Sequence, residues 1–165
     1  MVRFNLPEKF DVICCVFDSI NHVLSFAGWK ELFASVSRHL SNGGVFIFDV
    51  NTQKKLDQHI AGPAWVHPFG NNLVIIKVGD APNHASNWNI RVFEHTKGSR
   101  YLLHEENIQE ASFPKDDIVN ALKSKVSQSQ GHRYRPQSTF IRVREVVLYM
   151  QKVKAPLWLL HKQRS

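Results

Sequence analysis

Two apolar runs decide the fold: residues 10–22 read FDVICCVFDSINH, and residues 40–52 read LSNGGVFIFDVNT. Each run is rich in Val, Ile and Phe, and each ends in an aspartate followed by small polar residues. An unbroken apolar stretch such as residues 12–17 is typical of a strand that is buried on both faces, as the central strands of parallel sheets are. The two runs and the segment between them therefore predict a βαβ unit.

The segment between the runs predicts one amphipathic helix. Ser25 is placed to cap its N-terminus. Apolar residues then recur at helical spacing, at Trp29, Leu32, Phe33, Val36 and Leu40. We expect Asn42-Gly43-Gly44 to end the helix, because glycine tolerates the left-handed conformation found at helix ends. The polar residues after the two strands would then lie at one edge of a parallel sheet, where such sheets bind ligands.

The rest of the chain predicts a short helix, an antiparallel insertion and a closing unit. We expect the short helix at residues 53–60, ended by Gly62-Pro63, and an irregular stretch at residues 65–70. The elements expected after it are, in order, strands at 73–78, 88–95 and 100–107, a helix from Pro114 with Ile118, Val119 and Leu122 as its apolar stripe, a loop at 127–137, a last strand at 140–150 and an apolar tail at 153–160.

The composition is that of a single globular domain, with 165 residues of which 43% are hydrophobic. Cys14 and Cys15 are adjacent and lie inside an apolar run, which indicates buried residues of a reducing compartment rather than a disulfide. The sequence has no charged-then-apolar leader and no apolar stretch of the roughly 20 residues that a membrane helix needs. We therefore expect a soluble, cytoplasmic protein without a membrane partner.

The formal net charge of +7 is uneven, since the excess of lysine and arginine lies in residues 115–165. A basic end attracts nucleic acid by long-range electrostatics. Arginines and aromatic residues alternate only sparsely there, best in residues 133–142. This pattern favours a solvated basic surface, and we do not expect nucleic acid as the main partner.

Residues 9–52 resemble the second half of class I S-adenosylmethionine (SAM)-dependent methyltransferases of the sugar N-methyltransferase type. The run from Lys9 to His22 resembles the fourth strand of that family. Residues 40–49 resemble its "hLxPGG" turn and fifth strand, with Asn42 where proline is usual. The expected meander resembles the antiparallel layer that this group carries over its active site, and residues 144–149 resemble its closing strand.

The resemblance implies an α/β fold: a partial Rossmann-like methyltransferase sheet, made of the βαβ unit plus a closing strand, with an inserted antiparallel β meander. It implies a single domain over residues 1–165. Residues 4–52 and 112–154 would form the methyltransferase-like core, and residues 62–110 would form the inserted layer.

The cofactor half of the family pattern is absent from the sequence. The family binds SAM with a glycine-rich turn after its first strand, and none of the 8 glycines here forms a G-x-G. The resemblance therefore implies that the first three strands are missing and that Met1 corresponds to an internal methionine. We expect SAM as the cofactor of the family, bound weakly or not at all by this chain alone.

The resemblance places the reacting groups beside the polar cluster after the first strand. His22 and Asp18 are the predicted catalytic residues, with His22 as proton acceptor, and Asp18 and Ser19 are the predicted cofactor contacts. The predicted substrate contacts are Asn21, Asp49, Asn51, Trp65 and Tyr101. Alternatively, the residues after the strand cap a turn, and the aromatic residues pack in the core. His104-Glu105-Glu106 is not a zinc motif, and no metal site is predicted.

Together these observations predict SAM-dependent methyl transfer to a small-molecule amine or hydroxyl acceptor, by a chain that is truncated and inactive alone. One alternative is a non-catalytic binding module that uses the basic C-terminal end, for example on RNA. Another is half of a split enzyme, completed by a partner chain or an oligomer. Because buried parallel strands need helices on both sides, we expect the isolated chain to be marginally stable and to self-associate.

Overall fold

The computed structural model describes residues 2–83 and 85–128. The strands are β1 (Phe10–Cys15), β2 (Leu40–Phe48), β3 (Trp65–Phe69), β4 (Asn72–Ala81), β5 (Ala85–His95) and β6 (Tyr101–Ala111). The helices are α1 (Phe26–His39), α2 (Gln53–Ala61) and α3 (Lys115–Gln128), with a 3-10 turn at Ser19–His22. The strand and tail predicted at 140–150 and 153–160 lie outside the described residues, as does the loop predicted at 127–137 apart from its first two residues, which belong to α3.

The predicted βαβ unit is confirmed. β1 and β2 pair in parallel, with Val12 opposite Val45 and Cys15 opposite Phe48. The hydroxyl of Ser25 accepts a hydrogen bond from the Gly28 N–H and caps α1, as the sequence predicts. The apolar stripe of α1 then packs on one face of the strand pair, against Phe46 and Phe48.

The prediction that Asn42-Gly43-Gly44 ends the helix is wrong. α1 ends at His39, and Leu40 is already extended (φ −78°, ψ 138°) and belongs to β2. The glycines lie in an irregularity of the strand, since the register shifts between the pairs that Phe10 and Val12 make with β2. Gly44 is needed for close approach, because a Cβ there would lie 3.0 Å from the Phe10 carbonyl oxygen.

The prediction that these strands are buried on both faces is wrong as well. The face that carries Ile13, Cys15, Phe46 and Phe48 packs on α1. The opposite face carries Val12, Cys14, Val45 and Ile47, all exposed, with Val12 at 55%. We call these four side chains the open face. Among the described residues, the two strands form a sheet by themselves, and no layer covers this face.

The inserted antiparallel meander is confirmed, with four strands rather than three. Its order is β3-β4-β5-β6, and every neighbouring pair is antiparallel. The stretch expected to be irregular, residues 65–70, instead contains the edge strand β3. Gly70, at φ 59°, sits in the turn that joins β3 to β4. Pro68 is compatible with this strand because β3 is at the edge of the sheet.

The remaining helices hold the two sheets in place. In α2, Leu56 is fully buried, and His59 lies 5.1 Å from the Trp88 ring on β5. α3 returns to α1: Ile118 and Ala121 join the core, and Phe113 lies 5.2 Å from Trp29. None of the helices in the described ranges is both long and apolar enough to span a membrane.

Candidate functional site

The loop after β1 has a strained backbone. Phe17 and Asp18 both have positive φ, 59° and 49°, a region that side chains other than glycine rarely adopt. The Asp18 N–H donates to Asp49 Oδ2 at 3.0 Å, and the Asp18 carbonyl accepts from the Asn21 N–H at 2.8 Å. Asp49 follows β2, so this hydrogen bond ties together the ends of the two parallel strands.

Asn21 joins three segments of the chain from the interior. Its side chain is fully buried. Its Nδ2 donates to the carbonyls of Asn51 and Ala111, each at 2.9 Å, and its Oδ1 accepts from the Asn51 N–H at 2.9 Å. Ala111 is the last residue of β6, so one amide connects the 3-10 turn, the residues after β2 and the meander. Asn21 therefore has no remaining hydrogen for a substrate.

A carboxyl pair, Asp18 and Glu110, lies where the two sheets meet. Asn51 Nδ2 donates to both members, at 2.7 Å to Asp18 Oδ2 and at 2.8 Å to Glu110 Oε2. Asn51 and Glu110 are buried, whereas Asp18 is half-buried. The pair is thus open to a ligand on the side of Asp18.

The surroundings of Glu110 favour its protonated form. The pKa of Glu110 is raised to about 7, mainly because burial penalises the charge. The hydrogen bond from Asn51 works in the opposite direction, while the nearby Asp18 carboxylate raises the pKa further. Near neutral pH the pair therefore exists both with and without one bound proton.

The other predicted residues of the first cluster surround this pair. His22 is exposed, and its Nδ1 lies 3.2 Å from the Gln109 carbonyl oxygen. The Ser19 hydroxyl donates to the Val16 carbonyl at 2.6 Å. Asp49 Oδ1 is buried and has no hydrogen-bond partner among the described residues. A buried acceptor of this kind is normally satisfied by an ordered water or by a further group of the protein.

Trp65 and Tyr101 are not brought to this cluster. Trp65 is on the outer strand β3, half exposed and stacked on His67 at 5.0 Å. Tyr101 begins β6, whereas Glu110 is next to its end, and at ~3.4 Å per residue the two are about 30 Å apart. The structure thus groups Asp18, Asn21, Asp49 and Asn51 and leaves both aromatic residues elsewhere.

Glu110 is a member of the site that the sequence prediction missed, because the strand was expected to end at Asn107. The alternation of residues along β6 could have indicated Glu110, because Glu106, Ile108 and Glu110 lie on the same face of the strand. The small residue Ser86 lies opposite Glu110 on β5. A strand extended to Ala111 would have placed this carboxyl on the side of the first cluster.

The described residues place polar groups at one edge of the parallel strand pair. Asp18, Ser19 and the unpartnered Asp49 oxygen lie at the edge where the strands end, which fits contacts to a polar ligand. A glycine-rich turn of the kind that would hold SAM is absent from the sequence. Within residues 2–83 and 85–128, no group of three His, Cys, Asp or Glu side chains is arranged to hold a metal ion.

Comparison with known proteins gives structural matches alone. No family model matches the sequence, and no curated protein matches it. A SAM-dependent methyltransferase from Clostridium acetobutylicum is 25% identical, with a TM-score of 0.66, covering 83% of this chain and 58% of the other. A sugar N-methyltransferase from a Streptoalloteichus species is 20% identical, with a TM-score of 0.61, covering 75% of this chain and 50% of the other.

A third solved structure, a SAM-bound amino pentose methyltransferase from Micromonospora echinaspora, is 16% identical with a TM-score of 0.61. It covers 74% of this chain and 52% of the other. The chain thus spans about half to three-fifths of the length of these neighbours. The structural matches agree with the observed topology of a parallel strand pair and an antiparallel meander. The chain has a class I SAM-dependent methyltransferase-like fold.

Proposed function

We propose that this chain is the acceptor-binding part of a SAM-dependent methyltransferase that acts on a small-molecule amine or hydroxyl. The observation that carries the proposal is the carboxyl pair, held by Asn51 at the end of the parallel strands and beneath the meander. The structural neighbours support the same reaction class, since their names describe a SAM-dependent methyltransferase, a sugar N-methyltransferase and a SAM-bound amino pentose methyltransferase. SAM, when bound, supplies the methyl group.

The residues of the chain bind and orient the acceptor. The half-buried Asp18 carboxylate accepts a hydrogen bond from the amine or hydroxyl, and Asp49 holds the Asp18 backbone through its Oδ2. Exposed His22 takes up the proton that the methylated acceptor releases after transfer. Asn21 and Asn51 fix these groups by their hydrogen bonds to backbone and carboxyl. Ser19 as a cofactor contact, and Trp65 and Tyr101 as substrate contacts, stay predictions.

The isolated 165-residue chain should bind SAM weakly or not at all, because its sequence lacks the glycine-rich turn. Calorimetric titration of the purified chain with SAM measures this directly. Micromolar affinity would show that the chain holds the cofactor without that turn and would contradict the prediction.

Completion by a partner chain is the variant of this proposal that the open face favours, because parallel sheets are normally covered on both faces. In this proposal residues 4–52 and 112–154 belong to the methyltransferase core and residues 62–110 to the acceptor layer, in a cytoplasmic protein. The alternative of an RNA-binding module rests on a basic end that lies outside the described residues.

The test is a methyl-transfer assay with labelled SAM and a panel of small amines and alcohols, run on the purified chain and on any complex that it forms in cells. We expect transfer by the complex, reduced about a hundredfold or more by Asp18→Asn or His22→Ala. Asp116→Asn, on the first turn of α3, is the matched control and should keep full activity. Methyl transfer at an unchanged rate in both Asp18→Asn and His22→Ala would refute the proposed site.

A further inference from the structure

Glu110 is more deeply buried than Asp18, the other carboxyl of the pair. Its side chain is 2% exposed, whereas Asp18 is half-buried. The Asn51 amide donates to both carboxyls and fixes them next to each other. An acceptor can therefore contact Asp18 while Glu110 is shielded from it.

Two carboxyls in this arrangement do not ionise independently. A protonated Glu110 can hydrogen-bond to Asp18, and two ionised carboxylates repel each other, so the protonation of Glu110 depends on the neighbouring Asp18 carboxylate. Other described titratable groups at the pair are His22, from the 3-10 turn, and Asp49, from the end of β2. From β5 the neighbour is Ser86, whose hydroxyl donates to the Glu110 carbonyl at 3.4 Å.

We propose that Glu110 is a positioning residue that makes the carboxyl pair bind one proton as a unit, and that the pair takes this proton from the ammonium form of an amine acceptor. The inference rests on the proposed function. One N–H bond of the ammonium breaks, its electron pair stays on nitrogen, and one O–H bond forms on the pair. The charge of the pair changes from −2 to −1, and the acceptor becomes a neutral amine.

This step distinguishes amines from alcohols. A neutral amine has the free electron pair that attack on a methyl group requires, and an ammonium ion lacks it. A doubly ionised pair attracts the ammonium ion and then removes its extra proton, so the same two groups bind and activate the acceptor. An alcohol brings no positive charge to the pair. The inference therefore narrows the acceptor class to amines.

The first experiment is an NMR titration of the carboxyl carbons of Asp and Glu in the purified chain. We expect the Glu110 signal to titrate with a midpoint at about pH 7 and the Asp18 signal to change in the same transition, because Asn51 bridges the two carboxyls. Glu110→Gln should abolish this midpoint, Glu110→Asp should retain a shared titration, and Glu106→Gln, an exposed carboxyl on the same face of β6, should change nothing. Circular dichroism checks that each variant is folded.

An Asp18 signal that titrates identically in folded wild type and folded Glu110→Gln would overturn the inference. If Glu110→Gln does not fold, the Glu110→Asp variant tests the inference instead. Separate titration of the two carboxyls in that variant overturns the inference, and joint titration supports it.

The second experiment uses cyclohexylamine and cyclohexanol as matched probes, followed by the side-chain amide signals of Asn51. We expect the amine to shift these signals above pH 7, with affinity reduced about tenfold or more in Glu110→Gln, and the alcohol to leave them unchanged. Equal binding of both probes would overturn the inference. Joint titration and amine binding without methyl transfer in any complex would refute the proposed function instead, so the two failures are distinguishable.

Discussion

The two sheets of this protein differ in how much covering each requires from other parts of the fold. In the meander, every neighbouring strand pair is antiparallel, and successive strands are joined by short turns. In the parallel pair, one face is covered by α1 and the open face is covered by nothing among the described residues. Antiparallel sheets tolerate water on one face, whereas parallel sheets are normally covered on both. The parallel pair, whose sequence pattern is the clearer of the two, is thus the sheet that depends more on other elements to cover it.

The largest effect should come from the core beneath the parallel pair. Phe33 is 2% exposed and lies 5.8 Å from Phe48 and 6.3 Å from Trp29. Phe33→Ala should lower the free energy of unfolding by about 3–5 kcal/mol, measured by urea denaturation. Phe69→Ala, at a meander position that is 70% exposed, should change it by less than about 0.5 kcal/mol. Equal losses in the free energy of unfolding for the two variants would contradict the expected difference between the two sheets.

The next effect concerns the joint between the sheets. Asn21→Ala leaves the Asn51 N–H and the carbonyls of Asn51 and Ala111 without their buried partner, which should cost about 2–3 kcal/mol. Amide hydrogen exchange should then show β1 and β2 losing protection before β5 and β6. Asn120→Ala, on the exposed side of α3, is the control. Uniform loss of protection would mean that the sheets unfold as one unit.

A pH effect should follow from Glu110. Its pKa is about 7 in the folded protein and near the ordinary value of 4.5 in the unfolded chain, so the folded state binds more protons between these values. The free energy of unfolding should therefore fall as pH rises from about 4.5 to 7 and level off above, by about 3 kcal/mol from this group. Thermal melts of the wild type and of Glu110→Gln, recorded across this pH range, separate the contribution of Glu110 from that of the other groups. Parallel stability curves for the two proteins would contradict the expectation.

The smallest effect on stability should come from the open face. Val12→Lys places a charge where the side chain is already 55% exposed, and it should change the free energy of unfolding by about 0.5 kcal/mol or less. It should also reduce self-association in sedimentation velocity, because exposed apolar sheet faces promote association. Leu6→Lys, at an exposed apolar position outside this face, should leave association unchanged. A similar reduction by both variants would show that the open face is not the contact.

The local part of the fold could be predicted from the sequence, and the parts that depend on distant contacts could not. The spacing of Trp29, Leu32, Phe33 and Val36 determines the buried side of α1 and was predicted correctly. The strand β3 was not predicted, and Pro68 is compatible with it only at the edge of the sheet, a position that depends on tertiary pairing.

The site was predicted in part for the same reason. Asp18, Asp49 and Asn51 follow adjacent parallel strands, so topology alone brings them together. Glu110 reaches them from the end of a strand whose length and facing depend on tertiary pairing. The full burial of Asn21 likewise depends on Ala111, 90 residues away, and no local pattern reveals such a contact.

The hydrogen bond from Asn21 to Ala111 has a consequence for the order in which the molecule is made. It joins residues 90 positions apart, so it can form only after β6 has left the ribosome. β1, α1 and β2 are synthesised first and wait, with their strand ends unjoined, until the meander is complete. Contacts of such long sequence separation form late and slowly. The joint between the two sheets should therefore assemble late, after β6 has been synthesised.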